Sequence, residues 1–572
     1  MNGRLKVVAF LFLIAFGATV GRLFFLQVFR YTYYTAAAEG QQEVEAEVEP
    51  RRGTIFIRSE SREGVEHLPV ALTKGWWHIW ASPKDVPSER IGELTASLAP
   101  LVELDEERLR ERLSKDGDPY EPLADKIDEE TLEKIKALEA PGIHARPMRA
   151  RYYPLGALAS PVVGFVPSGE QGASGQYGIE EFFDAQLRGE TGRVEGYLNP
   201  FGKLIAALSD VTEPTDGSDV YLTLDYNIQR TLETRLAKVL EDYDAEGVQG
   251  IILEPRTGRI LAMASLPSFD PNVYGEVEHV GQFMNPAVQA LFEPGSIFKP
   301  FTMATALDIN VVSPELTYRD DGFVRVRDAT IRNSSDRVEG VQTMTQVLEK
   351  SLNTGAVFAL QRVPRGVWLE YLEKFALDEK TGISLPGEVT GTLRNLDEGG
   401  EVEFATSAFG QGIAVTPLAM LSGIAAVAND GILMHPYIVE KVVASDGSVS
   451  FEAKTQVRAR VIEAGPARQL TQMLVSVVEK GSGQRARLDG YFVAGKTGTA
   501  QVASSEGGYS GKTTHSFVGY APAFNPRFAF LVKIDNPQGV QYSEVSAGPV
   551  FHDVGSFILQ YYNVEPDKPV SK

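Results

Sequence analysis

From Val7 to Phe29 the chain is apolar almost without interruption, first as Val7 to Val20 and then as Leu23-Phe24-Phe25-Leu26. A helix of about 20 such residues spans the hydrocarbon of a bilayer. The segment therefore reads as a transmembrane anchor, and everything after it must fold as a tethered body in water. Arg4 and Lys6 precede the run, and basic flanks stay on the cytoplasmic side. The sequence thus predicts a cytoplasmic N-terminus with the remaining chain outside, an asymmetry that Arg30 weakens slightly. Arg22 lies near the outer end, where it can snorkel to the headgroups. Ala36-Ala37-Ala38 offers a small-residue cleavage pattern, but the length of the apolar run and the polar Tyr31–Thr35 stretch favour an uncleaved anchor.

At 572 residues the chain exceeds what one hydrophobic core can hold, so at least two folded domains follow the anchor. A formal charge of −21 argues against a nucleic-acid partner, which needs concentrated positive charge. With no cysteine, disulfides, thiolate nucleophiles and Cys-ligated metals are excluded. No motif calls for a cofactor or a metal.

Residues 31–214 mix short strand-like pieces such as Gly53–Ile57 with charged helical stretches at Glu106–Leu113 and Asp128–Leu138, and carry no catalytic constellation. They read as a spacer or docking domain. The turn-rich run Asp210–Asp219 sets the boundary at 214/215, after which residues 215–572 are strongly periodic. Strands are predicted at Val220–Leu224, Gly247–Leu253 and Arg259–Ala264, and again at Tyr491–Gln501, Thr514–Ala521 and Arg527–Ile534. Helices are predicted at Asn227–Leu240 and Phe551–Tyr562, with a mostly helical middle from Phe298 to about Ala428. Strands from both ends around a helical middle imply an α+β fold with one mainly antiparallel sheet covered by helices.

In Glu293-Pro294-Gly295-Ser296-Ile297-Phe298-Lys299-Pro300 the Pro-Gly turn precedes a helix expected from Ser296 to Leu307. Positions three apart share a helix face, so Lys299 can sit one turn below the Ser296 hydroxyl. A serine needs an adjacent base to become a nucleophile, and a lysine serves if burial and nearby positive charge lower its pKa. Taken alone, the pattern is more often a Ser at a helix start and a snorkelling Lys. Ser351-Leu352-Asn353 adds a hydroxyl able to relay protons and an amide able to hold a substrate amide, though such residues also cap helices. Lys496-Thr497-Gly498-Thr499 lies in a strand-like segment, where Gly498 permits close backbone approach, the lysine adds positive charge and the threonines offer hydroxyls. Lys380-Thr381-Gly382 repeats the tripeptide in turn-like surroundings without the following Thr, and is rejected as the active-site element.

S-x-x-K, S-x-N and K-T-G in this order are the set used by penicillin-recognising serine enzymes. Beyond them the chain resembles a class B penicillin-binding protein over nearly its whole length. Arg52-Gly53-Thr54-Ile55, Gly178-Ile179-Glu180, Leu187-Arg188-Gly189 with Gly192, Thr257–Met263 and Pro267–Asn272 carry the likeness. Phe56-Ile57-Arg58 departs from the aspartate-arginine pair that usually follows the first of these.

The resemblance implies a multidomain architecture: a tip and anchor at 1–30, a non-catalytic pedestal at 31–214, and a transpeptidase domain at 215–572 with a mainly antiparallel five-stranded sheet flanked by helices. It implies Ser296 as acylated nucleophile, Lys299 as base, and Ser351 and Asn353 as second element. Lys496, Thr497, Gly498 and Thr499 would bind the donor, with the Ser296 and Thr499 amides as oxyanion hole. The implied substrate is the D-Ala-D-Ala end of a peptidoglycan stem peptide, with β-lactams as covalent inhibitors and a membrane-embedded glycan polymerase and divisome proteins as partners. Phe409–Pro417 and Ser516–Pro522 look more like the division and sporulation branch than the elongation branch. A β-lactamase or β-lactam sensor of the same fold, or a non-catalytic scaffold, are the rival readings. The anchor and large spacer are superfluous for a hydrolase, and the intact trio argues against a scaffold.

Overall fold

The structure, a computed structural model, describes residues 3–31, 43–61, 64–167, 173–197, 210–334, 338–503 and 508–568. Gly3–Phe24 is α-helical and continues through one wider turn, Phe25–Phe29. Its 25 residues from Leu5 to Phe29 are long and apolar enough to cross a membrane. The Ala36–Ala38 pattern lies outside the described residues.

The chain divides into two compact units, residues 1–52 with 188–217, and Gly53–Leu187 with Ser218–Lys572. The first carries a three-stranded antiparallel sheet of Glu43–Val48, Gly192–Tyr197 and Asp210–Thr212.

In the second unit a seven-stranded sheet is built largely from spacer residues. The long strand Gly64–Ala81 pairs antiparallel with Ile55–Ser61, Glu121–Ile127 and Ile143–Tyr152. Helices Ile91–Val102, Glu106–Leu113 and Glu129–Ala137 bury Leu94, Leu98, Leu109, Leu132 and Ile135 against Ile79 and Leu123. Asp105 and Asp128 start two of these helices by accepting from the Arg108 and Thr131 amides, the capping that short polar side chains supply. The strand Asp219–Asp225 runs parallel to Ile55–Ser61 and antiparallel to Val439–Val443. Chain from both sides of position 214/215 therefore shares one sheet. Glu180, fully buried, takes the Arg151 guanidinium at 2.6 Å, and Arg151 in turn donates to the Gly53 carbonyl at 2.6 Å. A buried charge demands such a partner, which gives the Arg-Gly and Gly-Ile-Glu motifs a shared structural reason. Phe56, at the departure from the family pattern, stacks on Tyr221 at 4.8 Å.

A separate sheet has five strands, all antiparallel, in the order Ile260–Leu266, Gly247–Leu253, Phe528–Asp535, Tyr509–Ala521 and Ala494–Ala503. Side chains alternate across a strand, so Ile251, Leu531 and Val518 face one core, while Ile252, Phe530 and Phe517 face the other. The first core is roofed by Lys299–Asp308, Pro417–Ala428 and Ala464–Lys480, and the second by Tyr226–Asp242 and Ser543–Tyr561.

Two expectations need correction. The middle is helical only in part, because Thr317–Asp320 pairs with Gly340–Thr343, and Phe323–Val326 with Ala329–Arg332, as two small antiparallel ladders. The closing helix starts at Ser543, not Phe551, and runs through Pro549. Its first turns bury Ser543, Ser546, Ala547 and Gly548, and this packing overrides the break that a proline usually imposes.

Candidate active site

Ser296 sits in a tight 3-10 turn, Gly295–Phe298, and the α-helix begins only at Lys299. The turn is set by Gly295, whose φ of +56° favours glycine and whose added Cβ would lie 2.8 Å from Ala500 Cβ. Gly410, the next glycine at this point, has φ +74°, and a Cβ there would come within 2.5 Å of the Gly295 carbonyl. Pro300 fits the first α-helical turn, where no amide donor is needed. The nucleophile turn is thereby wedged between strand Ala494–Ala503 and the loop around Gly410.

Lys299 is 1% exposed, and its Nζ donates to the Ser351 carbonyl at 2.5 Å and to Ser351 Oγ at 3.2 Å. Lys496 is fully buried on the facing strand, and its Nζ donates to the same Ser351 Oγ at 2.9 Å and to the Thr497 carbonyl at 2.9 Å. Ser351 is thus the node between the two lysines, held in the left-handed region at φ 56°. No hydrogen bond joins Ser296 Oγ to Lys299 Nζ; the half-buried hydroxyl has no hydrogen-bond partner among the described residues. Such bonds commonly close only when substrate is present.

Burial pushes the Lys299 ammonium well below the usual lysine range, and the neighbouring Lys496 charge pushes it further. Burial alone brings Lys496 down to about 7. Two amines on one hydroxyl titrate as a coupled pair, and burial together with their mutual repulsion favours the form in which one of them is a free base.

The remaining predicted residues gather on the same site. Asn353 opens helix Asn353–Leu360 and donates from Nδ2 to the Arg332 carbonyl at 2.9 Å. Thr497 Oγ1 lies 2.8 Å from Ser482 Oγ. Thr499 is exposed, and its Oγ1 contacts both the hydroxyl and the amide of Ser543 at 3.2 Å. A Cβ on Gly498 would meet Ser516 Oγ at 2.5 Å and Ile297 Cγ2 at 2.9 Å. The close approach that this glycine permits is thus first of all that of the nucleophile turn. The rejected tripeptide lies in irregular chain outside any strand, where the Thr381 hydroxyl is tied to Glu388 at 2.5 Å. Sequence reasoning missed Ser482 and Ser543 as partners of the two threonines; no local pattern marks them. Gly410 was visible in Phe409-Gly410-Gln411-Gly412, but not its role. Among the described residues no cluster of three His, Asp or Glu side chains is placed to hold a metal ion.

The penicillin-binding protein transpeptidase domain family matches residues 249–555, more than half of the chain, and the penicillin-binding protein dimerisation domain family matches 47–222. The chain belongs to the class B penicillin-binding proteins. It is 32% identical to "Stage V sporulation protein D" of Bacillus subtilis, over 98% of this chain and 86% of that one. It is 29% identical to "Peptidoglycan D,D-transpeptidase FtsI" of Escherichia coli, over 97% of this chain and 91% of that one. Among solved structures, penicillin-binding protein 3 of Mycobacterium tuberculosis complexed with aztreonam is similar with a TM-score of 0.69 and 27% identity, covering 92% of this chain and 99% of that one. These likenesses group this penicillin-binding protein with the division and sporulation branch, and the family together with its apolar helix makes it membrane-anchored.

Proposed function

We propose that this protein is a peptidoglycan D,D-transpeptidase that cross-links stem peptides through an acyl-enzyme on Ser296. The observation that carries the reading is the Lys299–Ser351–Lys496 arrangement, in which two buried lysines share one hydroxyl, a setting that favours a neutral amine. Lys299 takes the Ser296 proton as Oγ attacks the penultimate D-Ala carbonyl. Ser351 passes a proton to the departing amine, and terminal D-Ala leaves as the ester forms. A neighbouring stem's amine then attacks that ester, releasing Ser296 and forming the cross-link. Lys496 attracts the donor carboxylate, Asn353 holds the donor amide, and Thr497, Gly498 and Thr499 line the donor strand. The Ser296 and Thr499 amides form the oxyanion hole, each such donor being typically worth about 2.7–4 kcal/mol to the transition state. β-Lactams acylate the same serine.

The relatives' names support a role in septal or sporulation wall synthesis. We assign residues 1–30 to tip and anchor, 31–214 to the pedestal and 215–572 to catalysis. The basic Arg4 and Lys6 support an inside N-terminus with the catalytic body outside, beside a membrane-embedded glycan polymerase and divisome proteins. Intact-mass spectrometry after penicillin treatment, with the adduct mapped to a peptide, tests this. We expect one adduct on Ser296, none in Ser296→Ala, and slow loss in a timed chase. Undiminished labelling of Ser296→Ala sinks the assignment, and rapid loss of label favours a β-lactamase.

A further inference from the structure

The two ladders at Thr317–Thr343 are the part of the catalytic body that the sequence did not announce, and they converge on one buried carboxylate. Asp320 is completely buried. It accepts from Thr354 Oγ1 at 2.7 Å, Asn333 Nδ2 at 3.0 Å, the Glu339 amide at 3.0 Å and the Gly322 amide at 3.2 Å. Among the described residues no lysine or arginine pairs with it. A buried carboxylate without a cation is costly unless its lone pairs are used, and here they are. Burial alone would raise its titration, but the hydrogen bonds from Thr354, the Glu339 amide, Asn333 and the Gly322 amide outweigh this and hold the carboxyl below its usual range.

The donors come from the helix Asn353–Leu360 on one side and from the loops that join the ladder strands on the other. Thr354 follows Ser351-Leu352-Asn353 directly, and its amide also donates to Asn333 Oδ1 at 3.2 Å. One residue earlier, Asn353 Nδ2 is taken by the Arg332 carbonyl at 2.9 Å, and on the other side Lys350 pairs with Glu339 at 2.5 Å. The ladders therefore grip the Ser351–Asn353 segment at Lys350, Asn353 and Thr354. The gripped segment contains Ser351 in its left-handed conformation, which persists only where the surroundings over-determine it.

We propose that Asp320, acting through Thr354 and Asn333, is a positioning residue that holds the Ser351–Asn353 segment against Lys299 and Lys496. The inference rests on the acyl-transfer reading of this site and adds a device that keeps its proton relay in place. An accepting-only group suits the task. Every donor around it must point inward, so the segment has one register, whereas an apolar contact would allow sliding.

Thr354→Val keeps the side-chain shape and removes the hydroxyl, and Thr354→Ser restores it. We expect the rate constant for acylation by penicillin, measured per folded protein, to fall about 10- to 100-fold in Thr354→Val, as misplacement by an ångström does. Thr354→Ser should stay within about threefold of wild type on the same reasoning. Asp320→Asn, which sets an NH2 donor among donors, should behave like Thr354→Val. Hydrogen exchange across residues 351–360 should quicken in the two impaired variants. Lowered melting temperature with wild-type acylation per folded molecule would make Asp320 a merely structural residue and overturn the proposal. So would failure of Thr354→Ser to rescue. If the wild-type protein were not acylated at Ser296, the functional reading fails instead, and the exchange data alone decide the clamp: unchanged exchange in Thr354→Val overturns it.

Discussion

Replacing Lys496 by Met removes a charge from the same hydroxyl that Lys299 contacts, and the structure gives the size of the effect. The two ammonium nitrogens lie 3.2 and 2.9 Å from Ser351 Oγ, so they can be no more than about 6 Å apart. At an effective dielectric of about 20, two unit charges at that distance repel by about 3 kcal/mol, or about 2 pK units. The sign follows from the base's task. Lys299 accepts a proton only when neutral, and repulsion from a protonated Lys496 disfavours its charged form. Without that repulsion Lys299 holds its proton to higher pH, although burial, the larger cause, still keeps it below the ordinary lysine value. Lys496 itself titrates at about 7, so the repulsion acts fully only below neutrality. The acid limb of the acylation–pH profile should therefore move upward by about 1–2 units in Lys496→Met. Stopped-flow acylation by a fluorescent penicillin from pH 5 to 10 reads the limb directly, and Lys496→Arg, which keeps the charge at every pH, should leave it at or below its wild-type position. A limb that stays in place or moves down in Lys496→Met would show that Lys299 is not the base, or that the two charges are not coupled.

Three further outcomes are expected. Because Lys496 is charged in the unfolded chain up to about 10.5 and in the folded one only to about 7, its burial destabilises the fold most below pH 7; Lys496→Met should therefore be more stable by about 1–3 kcal/mol at pH 6. Calorimetry should show that gain shrinking as pH rises toward 10.5, and a lower melting temperature at pH 6 would contradict it. Gly410→Ala forces a side chain into a φ of +74° and against the Gly295 carbonyl, at about 1–3 kcal/mol of strain; acylation should drop while the spacer's helices keep their circular-dichroism signal, and normal acylation would exclude Gly410 as a support of the turn. Lys380→Ala, in the rejected tripeptide, should leave acylation unchanged and shift stability by less than about 0.5 kcal/mol; a marked loss of acylation would reopen that rejection.

The catalytic strands were legible because each is an apolar run bounded by turn residues, and the charged stretch Glu106–Leu113 coincides with a helix that Asp105 proves to cap. The chemistry was legible because its residues sit at fixed short spacings. What binds them together was not. The hydroxyl shared by Lys299 and Lys496 joins positions 52 and 145 residues away from Ser351, and no local pattern encodes that meeting. The ladders at Thr317–Thr343 are four-residue strands whose β-branched residues were outweighed by the helices on either side. Pro549 spoke locally for a break that buried packing cancels. The pairing of Asp219–Asp225 with Ile55–Ser61 joins residues such as Ile55 and Val220 that lie far apart in sequence, and either strand alone reads the same with or without it.

That pairing bears on how the protein can be taken apart. Asp219–Asp225 lies between Ile55–Ser61 and Val439–Val443, with buried side chains along most of its length. A chain begun at residue 215 would keep one neighbour and lose the other, leaving a row of bare N–H and C=O groups beside an apolar face. Such an orphaned edge templates association with other chains. A catalytic half begun at residue 215 would therefore carry a sheet edge prone to pair with other chains, whereas a single cut near that position in the folded protein would leave Asp219–Asp225 paired with Ile55–Ser61.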